Sequence, residues 1–301
     1  MNLTAGIDAG GTTFKLAVAE GAAEGTDGPR IVGEARVPTT TPEATVRAAA
    51  DALRALAVEA GGTVARLGVG SFGPVDIDPG SPRYGTLLGT PKPGWADAPL
   101  LGMLTDALGV PGALDTDVNA ALMAERRDGA AQAHAVAAYV TIGTGIGVAV
   151  SAHGRLAGAP GHLEMGHVPV VRAPGDDHPG RCPYHGDCLE GLCAAPALTD
   201  RFGPLEAVGA DDPAWDVPAH YLAQLCLVIV LSHRTTRIVL GGGVMGAPGL
   251  LARVQARYDA LMAGYVGPAG ADLIMPAGLG GQAGVRGAVL VAACVGQNQI
   301  A

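Results

Sequence analysis

Two segments of this chain break an apolar strand with the same run of glycines and threonines and then resume it. Residues 6–20, GIDAGGTTFKLAVAE, are echoed by residues 138–152, AYVTIGTGIGVAVSA. A strand, a glycine turn and a second strand make a β-hairpin. The same hairpin built twice points to a duplicated α/β architecture with a ligand in the cleft between the halves. A glycine turn also lets backbone N–H groups approach an anion without interference from Cβ, and threonine hydroxyls add donors. One such turn is ordinary, because hairpins use Gly for positive φ whatever their role. Two of them suggest two jaws around a polyphosphate.

A chain of 301 residues is long enough for two domains with substantial cores. It is 49% hydrophobic and 16% charged, with 47 glycines and 4% aromatics, which argues against disorder. The formal net charge is -9 and no Lys/Arg run is present, so a nucleic-acid or anionic-membrane surface is disfavoured. An anion pocket must then be built from backbone dipoles and a metal ion. The start, MNLTAGID, enters a strand without a basic region or an apolar signal core. The apolar run 225–231 stops at Ser232-His233-Arg234, too short to span a bilayer, and the expected location is cytoplasmic.

Apolar spacing predicts strands at 3–8 and 14–20, with a third at 31–37 after the turn 25–29. It predicts a helix over 42–60 with proline near its start, and a short buried strand at 67–71. Residues 73–95 are dense in Gly and Pro and read as a loop or irregular hairpin, and loops this long are more often functional than idle. A strand end at 113–115 precedes a helix over 117–127. An apolar helix follows at 220–234, then a strand at 238–240 and a last helix from 284. The expected domains are 1–115, with the C-terminal helix of about 284–301 packing back on it, and 116–283, carrying the loop 167–188.

Four groups of residues carry chemistry. IVLGGGVMG, at 238–246, is a strand end whose bare backbone could accept adenine or ribose, or could simply be a tight strand-to-helix connection. Asp117, in DTDVNAA at 115–121, stands where a strand end meets a helix N-terminus. A carboxylate there can take a proton from a substrate hydroxyl while the helix dipole holds its charge, or it can serve only as an N-cap. Cys182, His185 and Cys188, in CPYHGDC, have spacing that converges three ligands on one tetrahedral ion, with His167 as the fourth and His178 as an alternative. A structural zinc is expected, since four protein ligands leave no open position. Cys193, Cys226 and Cys294 lie among apolar neighbours and read as core residues. A zinc held by His167 and Cys188 would bring Glu164 and Glu190 towards one pocket, where paired carboxylates suit a polyol.

Taken together, DAGGTT, DTDVNAA, TIGTGIG, GHLEMGH, CPYHGDCLEG and IVLGGGVMG resemble, in order and separation, the ROK family (repressors, open reading frames, kinases). The resemblance covers nearly the whole chain and implies a two-domain actin-like ATPase (ribonuclease H-like) fold. CPYHGDCLEG and GTPKPGW are similar to the family's fructokinase branch. The resemblance implies ATP-dependent phosphorylation of a hexose, D-fructose first, with glucose, mannose and N-acetylmannosamine as the family's alternatives. It makes Asp117 the general base and sets Thr116, Glu164, His167 and Glu190 on the sugar. Asp8 would hold Mg²⁺ through water. Gly10, Gly11, Thr12, Thr13, Lys15, Thr144 and Gly145 would hold the phosphates, and Gly242 and Gly243 would lie against the adenosine. A homodimer is implied as well. Thr116 stands where many members have Asn, and Leu163 where fructokinases often have Pro. The family's repressors carry a DNA-binding segment ahead of the first glycine turn, and with Asp8 so near the start none is expected here.

Overall fold

The computed structural model of the chain describes residues 1–21, 28–90 and 92–296. Residues 25–27 of the expected turn, Pro91 of the Gly/Pro run and residues 297–301 of the expected last helix lie outside these. Two compact units form. One takes Met1–Ala124, the short return Gly158–His162 and the chain from Gln282 onward; the other takes Glu125–Ala157 and Leu163–Gly281.

The first unit contains β1 (Asn2–Ala9), β2 (Thr13–Glu20), β3 (Arg30–Pro38), α1 (Pro42–Glu59), β4 (Thr63–Ser71), α2 (Leu100–Leu108) and β5 (Gly112–Thr116), and α3 (Asp117–Asp128) begins in it. Its sheet has the order β3-β2-β1-β4-β5. Strands β1, β2 and β3 are antiparallel neighbours, whereas β1, β4 and β5 run parallel. Both faces are covered, which is why β1 and β2 read as nearly unbroken apolar runs. Phe14, Leu16 and Val18 point into one core with Val46, Ala49 and Leu53 of α1. Helix α1 starts where Thr41 accepts a hydrogen bond from Ala44 N at 3.4 Å with proline following.

The second unit contains β6 (Val136–Ile142), β7 (Ile146–Ala152), β8 (Arg155–Leu156), α4 (Leu189–Cys193), α5 (Ala195–Phe202), α6 (Asp216–His233), β9 (Arg237–Gly241), α7 (Leu250–Met262), α8 (Gly270–Leu273) and β10 (Ile274–Pro276). Its sheet order is β10-β9-β6-β7-β8. Again the strand before the glycine turn is central, with antiparallel partners on one side (β7, β8) and parallel ones on the other (β9, β10). The duplication read from the hairpins therefore extends to whole sheets. Helix α6 buries Leu222, Leu225, Cys226, Ile229 and Val230 in this unit's core. The helical stretch Pro213–His233 is long and apolar enough to cross a membrane by composition alone, with 56% of its apolar window buried in the protein. The length comes from the whole helix, of which the apolar run 225–231 is only a part.

The last helix, α9 (Ala283–Val291), belongs to the first unit. It lies so close to the sheet that a Cβ on Gly68 would sit 1.9 Å from Ala288 O, and one on Gly6 would sit 2.5 Å from Val289 Cγ2. Ala17 and Ala19 of β2 meet Val285 and Val289 on this face. A 3-10 turn, Ala292–Cys294, ends the helix earlier than the unbroken segment read from the sequence.

The described residues of the Gly/Pro-rich region, 73–90 and 92–95, form a tied-down loop. Val75 and Leu87 form an isolated bridge, Trp95 is fully buried against Phe14 and Phe72, and its Nε1 donates to Thr40 O at 2.7 Å. Tyr84 grips the edge strand β5: its hydroxyl accepts from Leu114 N at 2.8 Å and donates to Leu114 O at 3.0 Å. The chain leaving that grip is Asp115-Thr116-Asp117.

Candidate active site

In the first unit, the turn after β1 closes on itself. Gly10 N donates to Thr13 O at 3.1 Å, and Thr39 fastens the turn from β3's end through Thr39 Oγ1 to Gly10 O (2.8 Å) and Thr39 N to Thr12 O (3.0 Å). Gly10 needs to be glycine, since a Cβ would sit 2.7 Å from Thr13 O; at Gly11 a Cβ would meet nothing within 4 Å, so that backbone is open. Lys15 stands opposite Asp8 in the β1–β2 register, and Lys15 Nζ lies 3.2 Å from Asp8 Oδ2. Burial raises the pKa of Asp8, and the charge and hydrogen bond of Lys15 work against that rise. Lys15 is therefore seated on Asp8 beside the turn.

At the end of β5, Asp117 is the first residue of α3 rather than its cap. Thr116 caps the helix: its Oγ1 accepts from Asn119 N at 3.1 Å. Thr116 is 4% exposed, so its hydroxyl is committed within the fold. Asp117 is half-buried, and its Oδ1 accepts from Val118 N at 2.8 Å. Asp115, which the sequence reading passed over, is buried beneath this corner. Its Oδ1 accepts from Thr116 N (2.6 Å) and from Asn119 Nδ2 (2.7 Å), joining strand to helix. The i, i+4 spacing of Asp115 and Asn119 was the available signal. His162, carried into this unit by the short return, lies 3.1 Å through Nε2 from Val75 O.

In the second unit, His167, Cys182, His185 and Cys188 come together with their ligand atoms all within 4.8 Å of one another. His167 Nδ1 lies 3.5 Å from both Cys182 Sγ and Cys188 Sγ, and His185 Nδ1 lies 3.6 Å from Cys182 Sγ. Around a tetrahedral zinc with bonds of about 2.3 Å to sulfur and 2.0–2.1 Å to nitrogen, N and S are about 3.5 Å apart, so the four residues fit that ion. His178 faces elsewhere: its Nδ1 accepts from Gly180 N at 3.0 Å and its Nε2 is 3.7 Å from Asp200. Of the two candidates for the fourth position, His167 is the one in the cluster.

The loop carrying these residues is fastened by an ion pair. Arg201 Nη2 reaches Asp176 Oδ2 at 2.7 Å, with side chains 9% and 6% exposed, and the Tyr221 hydroxyl also donates to Asp176. Burial works against the Asp176 charge, but hydrogen bonds from Tyr221, His178 and Arg201 outweigh it and hold the carboxyl below its usual range. With Nδ1 turned to the thiols, His167 Nε2 lies 3.9 Å from Glu164 Oε2 and 3.9 Å from Glu190 Oε1. One imidazole thus lies between the Cys/His cluster and both carboxylates singled out in the sequence. The second glycine turn and the third glycine run are also neighbours: Gly242, at φ +90, is so close to β6 that a Cβ would sit 2.3 Å from Ile142 O, while Gly243 is open.

Two sheets of matching topology, each with a glycine turn after its central strand, together with these side-chain groups, define a class. The ROK family profile matches residues 4–294, and the chain belongs to that family. It is 38% identical to a fructokinase of Pediococcus pentosaceus over 298 residues, covering 98% of this chain and 99% of that one. A fructokinase of Zymomonas mobilis is 37% identical over 295 residues, 95% of each chain. Among solved structures, a ROK family glucokinase from Streptomyces griseus in complex with glucose and AMPPNP superimposes with a TM-score of 0.77 at 26% identity, covering 96% of this chain and 99% of that one.

Proposed function

We propose that the protein is an ATP-dependent fructokinase that transfers the γ-phosphoryl group to the 6-hydroxyl of D-fructose. Near-full-length similarity to fructokinases supports the reaction, and one observation carries the choice of base. Thr116 caps α3, so Asp117 brings its carboxylate to the positive end of that helix without being the capping residue. The helix dipole favours a negative charge there, and such a carboxylate can take the proton of a sugar hydroxyl as the phosphoryl group arrives. Phosphoryl transfer asks little covalent help of the protein, so the remaining residues position and neutralise charge.

The roles divide between the units. Gly10, Gly11, Thr12 and Thr13 of one turn and Thr144 and Gly145 of the other hold phosphates through backbone N–H groups and hydroxyls, and Lys15 adds a positive charge beside the first. Gly242 and Gly243 offer a bare backbone to the adenosine. Asp8 provides one carboxylate oxygen towards Mg²⁺, which suits an ion that keeps most of its own water. Glu164, Glu190 and His167 Nε2 meet sugar hydroxyls, and Thr116, the family's sugar-side position, acts by capping the helix that opens with Asp117. A zinc on His167, Cys182, His185 and Cys188 would supply no open position and would serve to orient His167. We further propose a cytoplasmic homodimer with no nucleic-acid or membrane partner, a reading that the formal net charge of -9 supports.

A coupled ADP-release assay over fructose, glucose, mannose and N-acetylmannosamine tests the reading, with fructose expected to give the highest kcat/KM. Asp117→Asn is expected to lower kcat by about 10²–10⁴-fold with fructose binding retained. Turnover of none of the four sugars would overturn the kinase assignment. Equal loss of binding and turnover in Asp117→Asn would make Asp117 a structural residue.

A further inference from the structure

Glu190 does more than face a sugar. Its Oε2 accepts a hydrogen bond from Ile146 N at 2.9 Å. Ile146 is the first residue of β7, immediately after the turn Gly143-Thr144-Gly145. That turn is closed by Gly143 N donating to Gly145 O at 2.9 Å, and Ala195 N donates to Gly143 O at 2.8 Å. So the second phosphate turn is held from behind by two groups of the α4–α5 segment, Glu190 at one end and Ala195 at the other.

The glycines around this contact fit the same account. A Cβ on Gly145 would sit 2.8 Å from Glu190 Oε2, so the carboxylate lies directly against the bare turn and would have to step aside for a methyl. A Cβ on Gly166 would sit 1.9 Å from Ile146 O, so the turn bearing His167 closes on the carbonyl side of the same residue. The second carboxylate oxygen, Glu190 Oε1, lies 3.9 Å from His167 Nε2. Ile146 is therefore gripped on its amide side by Glu190 and on its carbonyl side by the residue beside His167.

We infer that Glu190 is a positioning residue for the second phosphate turn: it fixes Ile146 N, and through it the Gly143–Gly145 backbone, against the element that carries the metal ligands. The inference rests on the kinase reading and deepens it. One oxygen of Glu190 is committed to the nucleotide side and one is left for the sugar side, so a single carboxylate ties the two substrate subsites of this unit together.

The test uses the full zinc-loaded chain and a non-hydrolysable ATP analogue titrated without sugar. Glu190→Ala is expected to weaken analogue binding about tenfold, the value of one hydrogen bond to a charged group. Glu190→Gln keeps a carbonyl that can accept the Ile146 N–H, so its analogue affinity is expected to stay within about twofold of wild type while fructose affinity falls. Amide hydrogen exchange at Ile146 gives the readout that a purely sugar-binding role would not move: protected in wild type and Glu190→Gln, unprotected in Glu190→Ala. Where Glu190→Ala does not fold, Gly145→Ala replaces it for the Ile146 exchange readout alone, because its methyl displaces the carboxylate from Ile146 while Gly145 itself belongs to the phosphate turn. Unchanged Ile146 protection in the variant that folds would overturn the inference, as would unchanged analogue affinity in Glu190→Ala or an unprotected Ile146 in wild type. A wild-type protein that binds no ATP analogue would overturn the kinase reading, and the Ile146 exchange pattern would still decide the Glu190 contact.

Discussion

Asp115 and Asp117 are carboxylates two positions apart with opposite surroundings. Asp115 is 1% exposed, and its Oδ2 has no hydrogen-bond partner among the described residues. Burial pushes its carboxyl up to about 6, against hydrogen bonds from Asn119 and Thr116 and the charge of His162, which favour ionisation. A carboxyl with a folded pKa above its unfolded value binds its proton more tightly in the native state. Its stabilising contribution is complete below the unfolded value and is lost as pH rises through about 6. Asp115→Asn cannot titrate, so wild type should lose about 2 kcal/mol relative to this variant between pH 4.5 and pH 8. Urea unfolding of both proteins at the two pH values checks this, and a pH-independent difference would contradict it. Asp115 thus stiffens the corner that aims Asp117, at the cost of a charge held out of water.

Glycines do two different jobs in these helices. A Cβ on Gly287 of α9 would sit 1.8 Å from Ala120 O, a backbone atom that cannot step aside, whereas one on Gly102 of α2 would meet nothing within 4 Å. Gly287→Ala should destabilise by about 1–3 kcal/mol or more through overpacking. Gly102→Ala should stabilise by up to about 1 kcal/mol through helix propensity and a less flexible unfolded chain. Denaturant midpoints for the two variants should move in opposite directions. The sequence shows two glycines among apolar neighbours and cannot tell them apart, because the difference lies in a neighbour far along the chain. Elements with their own signal were legible: the strand–turn–strand runs, the capped helix after Thr41, the helix opening at Asp117, and the Cys/His spacing. Helix α2 was missed, since LLGMLTDAL is short and carries no side-chain cap, and so was β10, whose three residues only pair with β9. The Glu190–Ile146 contact left no local pattern at all, being a carboxylate meeting one backbone amide.

At the scale of the molecule, the loop of the Cys/His cluster has little regular structure of its own. Its chain from Val168 to Cys188 contains no helix and only the isolated Cys182–Gly186 bridge, so its order depends on the four ligands and on the Asp176–Arg201 pair. Elemental analysis should find about one zinc per chain, and a chelator should lower the melting temperature, with added zinc restoring it. No bound zinc and no chelator effect would mean that these residues hold no metal. The placement of α9 has a consequence for how the protein is made. The face of the first sheet lined by Gly6 and Gly68 is complete only once residues 283–291 exist, long after β1 and β4 have left the ribosome. At about 5–20 residues per second that interval is roughly 10–40 s, during which the nascent first half waits with a bare apolar face while the second unit, contiguous apart from one short return, is synthesised in full. Chaperone binding during translation should therefore concentrate on the first half, and release should follow the emergence of the final helix.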